Sequence, residues 1–544
     1  MKLPSIAFVS LEFGIINEMK TYCGGLGILS GDIIKSANEQ NYPMTGFTLL
    51  YKKGWFKQVI DEHNNQVARP DYWDYKKLLE DTNKIIKLNI DSKICHIKIW
   101  KYNLGSCNIY YFDTDLEQND PLFREVSQNI YSTDKQVFDL QEIILGLGVI
   151  EFAKELNLEF DKYHLNESHA FYLPLALMSQ YQDLKTVRSK MVFTTHTPLD
   201  TANQKITISQ VQKMAGDKIA KSIPLELVKD NLINCTEMCI YFSSFANAVA
   251  KRHQKITQQF YPSFHIDYVT NGANINTWLC EGLAKIFDKN IDNWRNDPDQ
   301  LRRIGIISDQ ELIDNHLNNK QILVDYINKK NGNNNFNSNT FTIGFARRTV
   351  GYKRADLILS QIERLSKIAK KYNGIQIVFS GKAYPTDEEG RKLIKSLVDS
   401  SKLKFENIQV AFIENYDMTL AKTIILGSDL WLNNPLPPLE ASGTSGMKAS
   451  MNGIPNFSII DGWWVEGYLE GETGWSIGQD LCVGDMCRIN EVEDLYNKLE
   501  NEIFEAYQDK SKWSQITKTC IALNATHFNT KRVLDEYILK AYLK

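Results

Sequence analysis

Short, continuously apolar segments recur along the chain, and segments with helical spacing, such as residues 28–40, lie between them. The clearest apolar segments are Ile6–Ser10, 190–195, Phe341–Ala346, Ile375–Ser380 and 428–432. Continuous apolar strands between helices are typical of parallel sheets that are covered by helices on both faces. The pattern therefore predicts an α/β protein with doubly wound sheets. At roughly 100–200 residues per domain, the length predicts two to four domains.

The boundary between two doubly wound domains is predicted near Asn271, because another strand ends at the sequence Thr-Asn-Gly there. We therefore expect an N-terminal domain over residues 1–272 and a C-terminal domain over residues 273–544. The last segment, 533–543, is apolar at helical spacing and is a candidate to pack back onto the first domain.

Composition and charge exclude several classes of function. The formal net charge is −4 and the sequence pI is about 6.2, so no global positive field exists to hold nucleic acid or an anionic membrane. No apolar run reaches the ~18 residues that span a bilayer. The acidic Glu12 follows the first strand too soon for a signal peptide, and none of the nine cysteines forms a Cys-x-x-Cys pair. We therefore expect a cytoplasmic protein without a metal site, a disulfide framework or a membrane span.

Polar residues that could bind a ligand follow several predicted strands. His196 follows one strand, Asn271 another, and Arg347 and Arg348 a third. In open parallel sheets, ligands bind beyond the carboxyl ends of the strands. The recurrence predicts a single site rather than scattered surface residues.

Three segments have the composition of an anion site. Residues 22–27 read Tyr-Cys-Gly-Gly-Leu-Gly before a helical segment, so backbone amides of Gly24 and Gly25 could approach a phosphate, although such a turn is more often only a tight connection. Arg348 and Lys353 are five residues apart and could meet on one anion, or they could be a solvated basic helix start. Residues 440–448 read Glu-Ala-Ser-Gly-Thr-Ser-Gly-Met-Lys, and Lys448 could form a Schiff base if its amine is desolvated.

Residues 440–448, continued by Met-Asn-Gly at 451–453, resemble the pyridoxal-phosphate attachment motif of the α-glucan (glycogen, starch and maltodextrin) phosphorylases. Further segments match that family in order along residues 6–468. They are Gly-Gly-Leu-Gly at 24–27, His-Leu-Asn-Glu-Ser-His at 164–169, Thr-His-Thr-Pro at 195–198, Thr-Asn-Gly at 270–272, Gly-Phe-Ala-Arg-Arg at 344–348, Tyr-Lys-Arg at 352–354, Gly-Lys-Ala at 381–383 and Glu-Asn-Tyr at 414–416. One such match could be chance, but eight in order identify the chain as a short member of the bacterial and archaeal type.

The resemblance implies a glycosyltransferase-B type fold, with two Rossmann-like domains facing an interdomain cleft. It also implies that Lys448 carries pyridoxal 5'-phosphate as an internal aldimine. The other residues at positions that contact the cofactor are Tyr416, Gly25, Thr444 and Gly446. In this family the cofactor acts through its phosphate, which lies beside the substrate phosphate. The residues at the positions that hold these anions are Arg348, Lys353 and Gly25, with Arg347 where the family often has another basic residue and Gly24 in the glycine loop.

The resemblance assigns the sugar-binding residues as well. His196 would contact the glucosyl 6-hydroxyl and support the transition state through its carbonyl, and Asn271 would hold the same hydroxyl. The 3- and 4-hydroxyls would bind Glu440 and the amides of Ser442 and Gly443. Glu167 and His169 would line the site near the reacting carbon. Without the motifs, the default interpretation of both His196 and His169 is a hydrogen-bonded core histidine. The implied reaction is a reversible, retaining phosphorolysis of α-1,4-glucan or maltodextrin by inorganic phosphate, which yields glucose 1-phosphate.

Two departures and two alternatives accompany this reading. The chain is shorter than animal and plant members, so a homodimer is left open rather than implied. Residues 434–438 read Asn-Pro-Leu-Pro-Pro, where short relatives often have arginines. A nucleotide-sugar glycosyltransferase of the glycogen synthase type would share the glycine loop and the Arg348 and Lys353 pair, but it would not need Lys448. A glucan-binding homologue without activity is the second alternative.

Overall fold

The structure is a computed structural model, and it describes residues 3–199, 203–331, 336–480 and 484–544. The described residues form two compact units. The first unit comprises the described parts of 1–56, 70–270 and 530–544, and the second comprises those of 57–69 and 271–529.

The first unit is built on a sheet with nine strands in its described part. In spatial order the strands are Asp267–Tyr268, Phe245–Ala248, Met191–Thr194, Lys162–Asn166, Ile6–Ser10, Met44–Leu49, Asn108–Asp113, Lys93–Asn103 and Glu80–Ile90. The first seven are paired in parallel, and the last two are added antiparallel. A small sheet of Lys205–Ile206, Leu232–Asn234 and Val228–Lys229 accompanies it.

Helices cover both faces of this sheet. In the strand Ile6–Ser10, Ala7 and Val9 belong to one apolar cluster, whereas Ile6 and Phe8 belong to another. Because successive side chains of a strand point to opposite faces, a continuously apolar strand is the expected sequence here. The helices of the unit are Gly25–Glu39, Tyr75–Leu78, Pro121–Glu125, Lys135–Glu155, Tyr172–Tyr181, Leu184–Lys190, Ile208–Ala215, Asp217–Ala220, Cys235–Tyr241, Lys251–Phe260 and Thr530–Tyr537.

The second unit has a parallel sheet of six strands in its described part. Their spatial order is Ile408–Ile413, Ile375–Ser380, Phe341–Ala346, Leu430–Asn433, Asn456–Ile459 and Gly474–Ile477. Every neighbouring pair is parallel. The helices of the unit are Ile275–Trp278, Glu281–Asn290, Asp309–Asn331, Ile362–Lys371, Glu388–Lys402, Met418–Gly427, Thr444–Met451, Trp464–Gly467, Asp485–Lys498, Phe504–Gln508 and Lys510–Thr519.

The division of the chain differs from the predicted boundary at 272/273 in two places. The antiparallel hairpin of Lys57–Ile60 and Gln66–Arg69 belongs to the second unit, although it lies early in the sequence. The last segment, 530–544, belongs to the first unit, where Tyr542 bonds to the buried ring of His164 and Tyr537 to Thr194. The hairpin is placed by tertiary hydrogen bonds, which local sequence patterns do not report. The last segment was already a candidate for the first domain from its apolar helical spacing.

Three smaller findings bear on the expectations from sequence. The helix predicted from residue 28 begins at Gly25. Among the described residues, seven cysteines are free and Cys487 is disulfide-bonded. In the described ranges, no helix combines the length and the apolar character needed to cross a membrane.

Candidate active site

The predicted site residues divide between the two units. The first unit holds Gly24, Gly25, Glu167, His169 and His196. The second holds the remaining ones, which are Asn271, Arg347, Arg348, Lys353, Tyr416, Glu440, Ser442, Gly443, Thr444, Gly446 and Lys448.

The glycine loop of the first unit is fixed by a buried carboxylate. One oxygen of Glu12 accepts hydrogen bonds from the backbone amides of Cys23 (2.6 Å) and Gly24 (3.1 Å), and Glu12 is 2% exposed. A Cβ at Gly27 would lie 2.6 Å from the same carboxylate, so glycine is required there by packing. A Cβ at Gly24 or Gly25 would have no described atom within 4 Å. Packing therefore does not require these two glycines, and the space beside them leaves their backbone open to close approach by a ligand.

Glu167 and His196 form one hydrogen-bonded unit at the ends of neighbouring strands. The Glu167 carboxylate accepts from the His196 amide (2.7 Å) and the Thr197 hydroxyl (3.1 Å). Glu167 has a backbone φ of +78°, a conformation that costs energy in a residue with a side chain. Burial raises the pKa of Glu167, although the hydrogen bonds it accepts act in the opposite direction. The arrangement fixes the backbone of His196.

The ring of His196 is fixed in one tautomer. Its Nε2 lies 2.7 Å from Asn166 Oδ1, and the Asn166 amide nitrogen donates to Ser30 Oγ (2.8 Å) and Ser10 Oγ (3.3 Å). Asn166 Oδ1 can only accept, so Nε2 carries the proton and Nδ1 is left as an acceptor. Burial, with smaller effects of neighbouring histidines, lowers the pKa of His196 to about 3. The ring is therefore neutral at physiological pH and suited to receive a hydroxyl proton in a hydrogen bond.

His169 and Asn271 have different surroundings. The His169 ring lies beside the rings of Tyr131 (5.5 Å) and Phe138 (6.2 Å), and burial lowers its pKa to about 4. Its Nδ1 is buried without a hydrogen-bond partner among the described residues. Asn271 is 4% exposed and directly precedes Gly272, where a Cβ would meet the Asn529 backbone at 2.4 Å. His169 thus keeps an unused polar atom, whereas the Thr-Asn-Gly turn is required by packing.

Two cations and one carboxylate meet in the second unit. Glu440 accepts a hydrogen bond from Arg347 Nη1 (3.2 Å) and pairs through the same oxygen with the Lys353 amine. All three side chains are buried, with Glu440 6%, Arg347 8% and Lys353 9% exposed. Burial opposes ionisation of Glu440, but Lys353 and Arg347 outweigh it and hold the pKa of the carboxyl below its usual value. The sequence pattern suggested that Arg348 and Lys353 could meet on one anion. Lys353 shares the Glu440 carboxylate with Arg347, and Arg348 is exposed.

The helix Thr444–Met451 carries Lys448 into a buried position. It begins after Gly443, whose φ of +93° favours glycine. A Cβ at Gly446 would meet Asn456 Oδ1 at 2.4 Å, so this residue is fixed by packing. Lys448 is 7% exposed, and its amine lies 3.7 Å from the centroid of the Trp278 ring. A desolvated lysine amine is the type that forms Schiff bases.

The start of this helix contacts the cation pair. Arg347 Nη2 donates to Ser445 Oγ (2.9 Å). The first turn of the helix, which begins at Thr444, contains no acidic residue. Tyr416 donates to the Ala346 carbonyl (3.3 Å), and burial raises its pKa to about 12, although Arg347 acts to lower it. Arg347, Tyr416, Glu440 and the helix start therefore belong to one site.

This site fits a phosphate-bearing aldehyde cofactor. Arg347 Nε and Ser442 Oγ are buried and make no hydrogen bond with any described residue. Lys448 supplies a buried amine, and the helix start supplies amide donors with a favourable dipole for an anion. No group of acidic, cysteine or histidine residues suited to a metal ion occurs among the residues that the structure describes.

Sequence reasoning missed two supports of the site. Glu12 holds the glycine loop, and no motif marks a lone carboxylate that binds amides. Asp461 accepts the amide of Glu440 (2.9 Å), and the Trp463 amide donates to the Ser442 carbonyl (2.8 Å). Trp463 and its neighbour Trp464 are 1% and 0% exposed, so this aromatic pair is core.

Comparison with known proteins agrees with the site. Residues 183–475 match the profile of the family described as carbohydrate phosphorylase, and residues 5–271 match that of the starch synthase catalytic domain. The glycogen phosphorylase of Aquifex aeolicus is 34% identical over 99% of this chain and 86% of its own length. The maltodextrin phosphorylase of Thermococcus litoralis is 34% identical over 99% of this chain and 70% of its own length.

The chain belongs to the carbohydrate phosphorylase family. The resemblance to α-glucan phosphorylases of the short bacterial and archaeal type is confirmed, and so is the prediction of a glycosyltransferase enzyme with two α/β units of the glycosyltransferase-B type. An uncharacterised protein of Methanocaldococcus jannaschii is 29% identical over 98% of this chain and 99% of its own length, so chains of this short length occur elsewhere.

Proposed function

We propose that the protein is an α-glucan phosphorylase that transfers a glucosyl unit from the end of an α-1,4-glucan to inorganic phosphate. The observation that carries the proposal is the buried Lys448 on a helix whose first turn binds Arg347, which shares Glu440 with Lys353. A desolvated amine and a cation cluster joined by one helix suit a cofactor and a substrate that both bear phosphate. The names of the glycogen and maltodextrin phosphorylases that this chain resembles support the choice of glucan.

The cofactor in this proposal is pyridoxal phosphate, held covalently by Lys448. Tyr416, Thr444, Gly446 and the Gly25 amide would contact it. When bound, it supplies a phosphate group that can exchange a proton with the substrate phosphate. Arg347, Arg348 and Lys353 would hold these neighbouring anions, which repel each other unless fixed cations neutralise them.

The glucosyl unit would be bound by the residues whose geometry suits hydroxyl groups. His196 Nδ1 is an acceptor on a ring fixed by Asn166, and it would take the 6-hydroxyl together with Asn271. Ser442, Gly443 and Glu440 would take the 3- and 4-hydroxyls, with Glu167, His169 and Gly24 beside the reacting carbon. The bond from C1 to the glycosidic oxygen breaks, a bond from C1 to a phosphate oxygen forms on the same face, and the proton of the phosphate passes to the departing 4-oxygen.

The test combines a spectrum, a mass map and an assay. Purified protein should absorb in the near ultraviolet, and borohydride reduction should leave a pyridoxyl group on Lys448. Lys448→Ala should abolish the adduct and the release of glucose 1-phosphate from maltodextrin, whereas Lys498→Ala, which removes an amine paired with Glu470 and Asp494, should keep both. An unmodified Lys448 in protein saturated with pyridoxal phosphate would refute the proposal and favour a nucleotide-sugar transferase or an inactive glucan binder.

A further inference from the structure

The hairpin of Lys57–Ile60 and Gln66–Arg69 carries two buried carboxamides. It belongs to the second unit although more than 200 residues separate it from the rest of that unit. Gln58 and Gln66 are 1% and 6% exposed, and most other residues of the hairpin are exposed or half-buried. The register pairs Ile60 with Gln66 and Gln58 with Ala68, so both glutamines lie on one face of the hairpin.

The two glutamines are fully bonded to a turn beside the cation cluster. The side-chain nitrogen of Gln58, Nε2, donates to Gln66 Oε1 (2.8 Å) and to the Gly381 carbonyl (2.8 Å). Gln66 pairs with the backbone of Ala383 in both directions, donating to its carbonyl (2.9 Å) and accepting from its amide (3.0 Å). The two carboxamides therefore supply hydrogen bonds to the backbone of this turn that a neighbouring strand would otherwise supply.

The turn 381–383 supports the segment that carries Arg347. The Arg347 amide donates to the Ser380 carbonyl (3.1 Å), and the Thr349 amide donates to the Lys382 carbonyl (2.9 Å). A Cβ at Gly381 would lie 2.2 Å from the Arg347 carbonyl oxygen. With this close contact, a displacement of the turn must displace Arg347.

The hairpin also holds Asn415, the residue before Tyr416. The backbone amide of Gln58 donates to Asn415 Oδ1 (3.0 Å), and the backbone amide of Asn415 donates to Gln58 Oε1 (2.7 Å). Asn415 has a φ of +63°, a left-handed conformation that asparagine adopts more readily than most residues with a side chain. The Ile60 amide also donates to Glu414 Oε2 (2.9 Å).

We propose that the hairpin positions the anion-binding residues of the second unit, with Gln58 and Gln66 fixing Arg347 through the turn 381–383 and Tyr416 through Asn415. Gln58 and Gln66 are positioning residues, because neither contacts the cations or Lys448 in these hydrogen bonds. This inference rests on the proposed function, since it names the elements that shape the same phosphate site.

The test uses two single variants of the full-length protein and a matched control. Gln58→Ala removes the side-chain bonds to Gly381, Asn415 and Gln66. Gln66→Ala removes the bonds to Ala383 and to the Gln58 side chain, and it leaves both bonds between Gln58 and Asn415 in place. Lys57→Ala changes a neighbouring, exposed side chain of the same strand. The readouts are amide hydrogen exchange of residues 347–349 and 414–416, and the KM values for inorganic phosphate and for maltodextrin.

We expect faster exchange in both segments of Gln58→Ala, in the first segment only of Gln66→Ala, and in neither segment of Lys57→Ala. A displaced anion site should raise the KM for phosphate about 10- to 100-fold. The KM for maltodextrin should stay within about two-fold. Unchanged exchange and an unchanged phosphate KM in both glutamine variants would overturn the inference, and so would equal rises of both KM values.

The outcomes separate this inference from the proposed function. If the unmodified protein releases no glucose 1-phosphate, the proposed function fails, whereas the exchange data still decide whether the hairpin holds the two segments. If Gln58→Ala does not fold, Gln66→Ala retains every Asn415 contact and decides the inference through Arg347 alone.

Discussion

Replacing Glu440 with glutamine should leave two buried cations without their anion. Arg347 and Lys353 are 8% and 9% exposed, and Glu440 is the carboxylate that both contact. Removing one partner of a buried ion pair costs about 3–5 kcal/mol, because the remaining charge stays desolvated. Glu440→Gln should therefore lower the unfolding temperature of the protein clearly.

Inorganic phosphate should reverse much of this loss, because it would provide the anion that the variant lacks. A ligand at about 100 times its dissociation constant stabilises a folded protein by about 2.7 kcal/mol. The assay is thermal unfolding with increasing phosphate. In Glu440→Gln the unfolding temperature should rise more steeply with phosphate than in the unmodified protein, where the Glu440 carboxylate competes.

Glu491→Gln is the matched control. Glu491 pairs with Arg354 at 2.5 Å, and both side chains are buried in the same unit. Arg354 also donates to the carbonyls of Asn434 and Pro435, at 2.9 Å each, so its guanidinium is enclosed by the backbone. This variant should lose stability without gaining phosphate dependence. An equal response of the two variants to phosphate would refute the assignment of Arg347 and Lys353 to an anion site.

The pH dependence of the Glu440 effect has a definite sign. The pKa of Glu440 is lower in the folded protein, so its stabilisation is present above the pKa of the unfolded chain. The stabilisation is lost as the pH falls through the folded-state pKa. The difference between the unmodified protein and Glu440→Gln should therefore be full at neutral pH and should shrink in acid.

Two further predictions concern the first unit. Burial raises the pKa of Glu142 well above its usual value, so its stabilisation is present only below the unfolded-state pKa and is lost as the pH rises; Glu142→Gln should stabilise the protein by about 1 kcal/mol at neutral pH, measured by thermal unfolding from pH 4 to 8. Tyr542→Phe should cost about 1–3 kcal/mol, because it leaves His164 Nδ1 buried without its partner. Tyr42→Phe removes a buried hydroxyl that has no partner among the described residues and should cost nothing, and an equal cost of the two tyrosine variants would contradict the reasoning.

The sequence predicted five of the parallel strands because each is a short apolar run, most of them with polar residues at the end. Phe341–Ala346 and Ile375–Ser380 have the predicted bounds, and all of their residues are buried. The antiparallel strands Glu80–Ile90 and Lys93–Asn103 were not predicted. Exposed residues interrupt them, and such mixed patterns also occur in loops and helices.

The sequence named candidate residues for the site but not the contacts among them. Lys353 and Glu440 are 87 residues apart, and nothing local to either indicates that they pair. The placement of the hairpin was beyond sequence reasoning for the same reason. Gln58 and Gln66 are polar residues in a short strand, a pattern that ordinarily indicates solvent exposure, and only distant carbonyl and amide groups explain their burial.

The residues of the two units differ in how well they distinguish a phosphorylase from a nucleotide-sugar transferase. Residues 5–271, which contain the glycine loop and His196, match the starch synthase catalytic domain, so these features suit any donor in which a sugar is joined to phosphate. The cation cluster around Glu440 does not discriminate either, because a diphosphate would bind it as well. A lysine amine buried against Trp278 has no role in binding a nucleotide sugar, whereas an aldehyde cofactor requires it. Under the proposed function, Lys448 is therefore the residue that distinguishes the two reactions, and mapping a reduced adduct to this residue is the measurement that separates them.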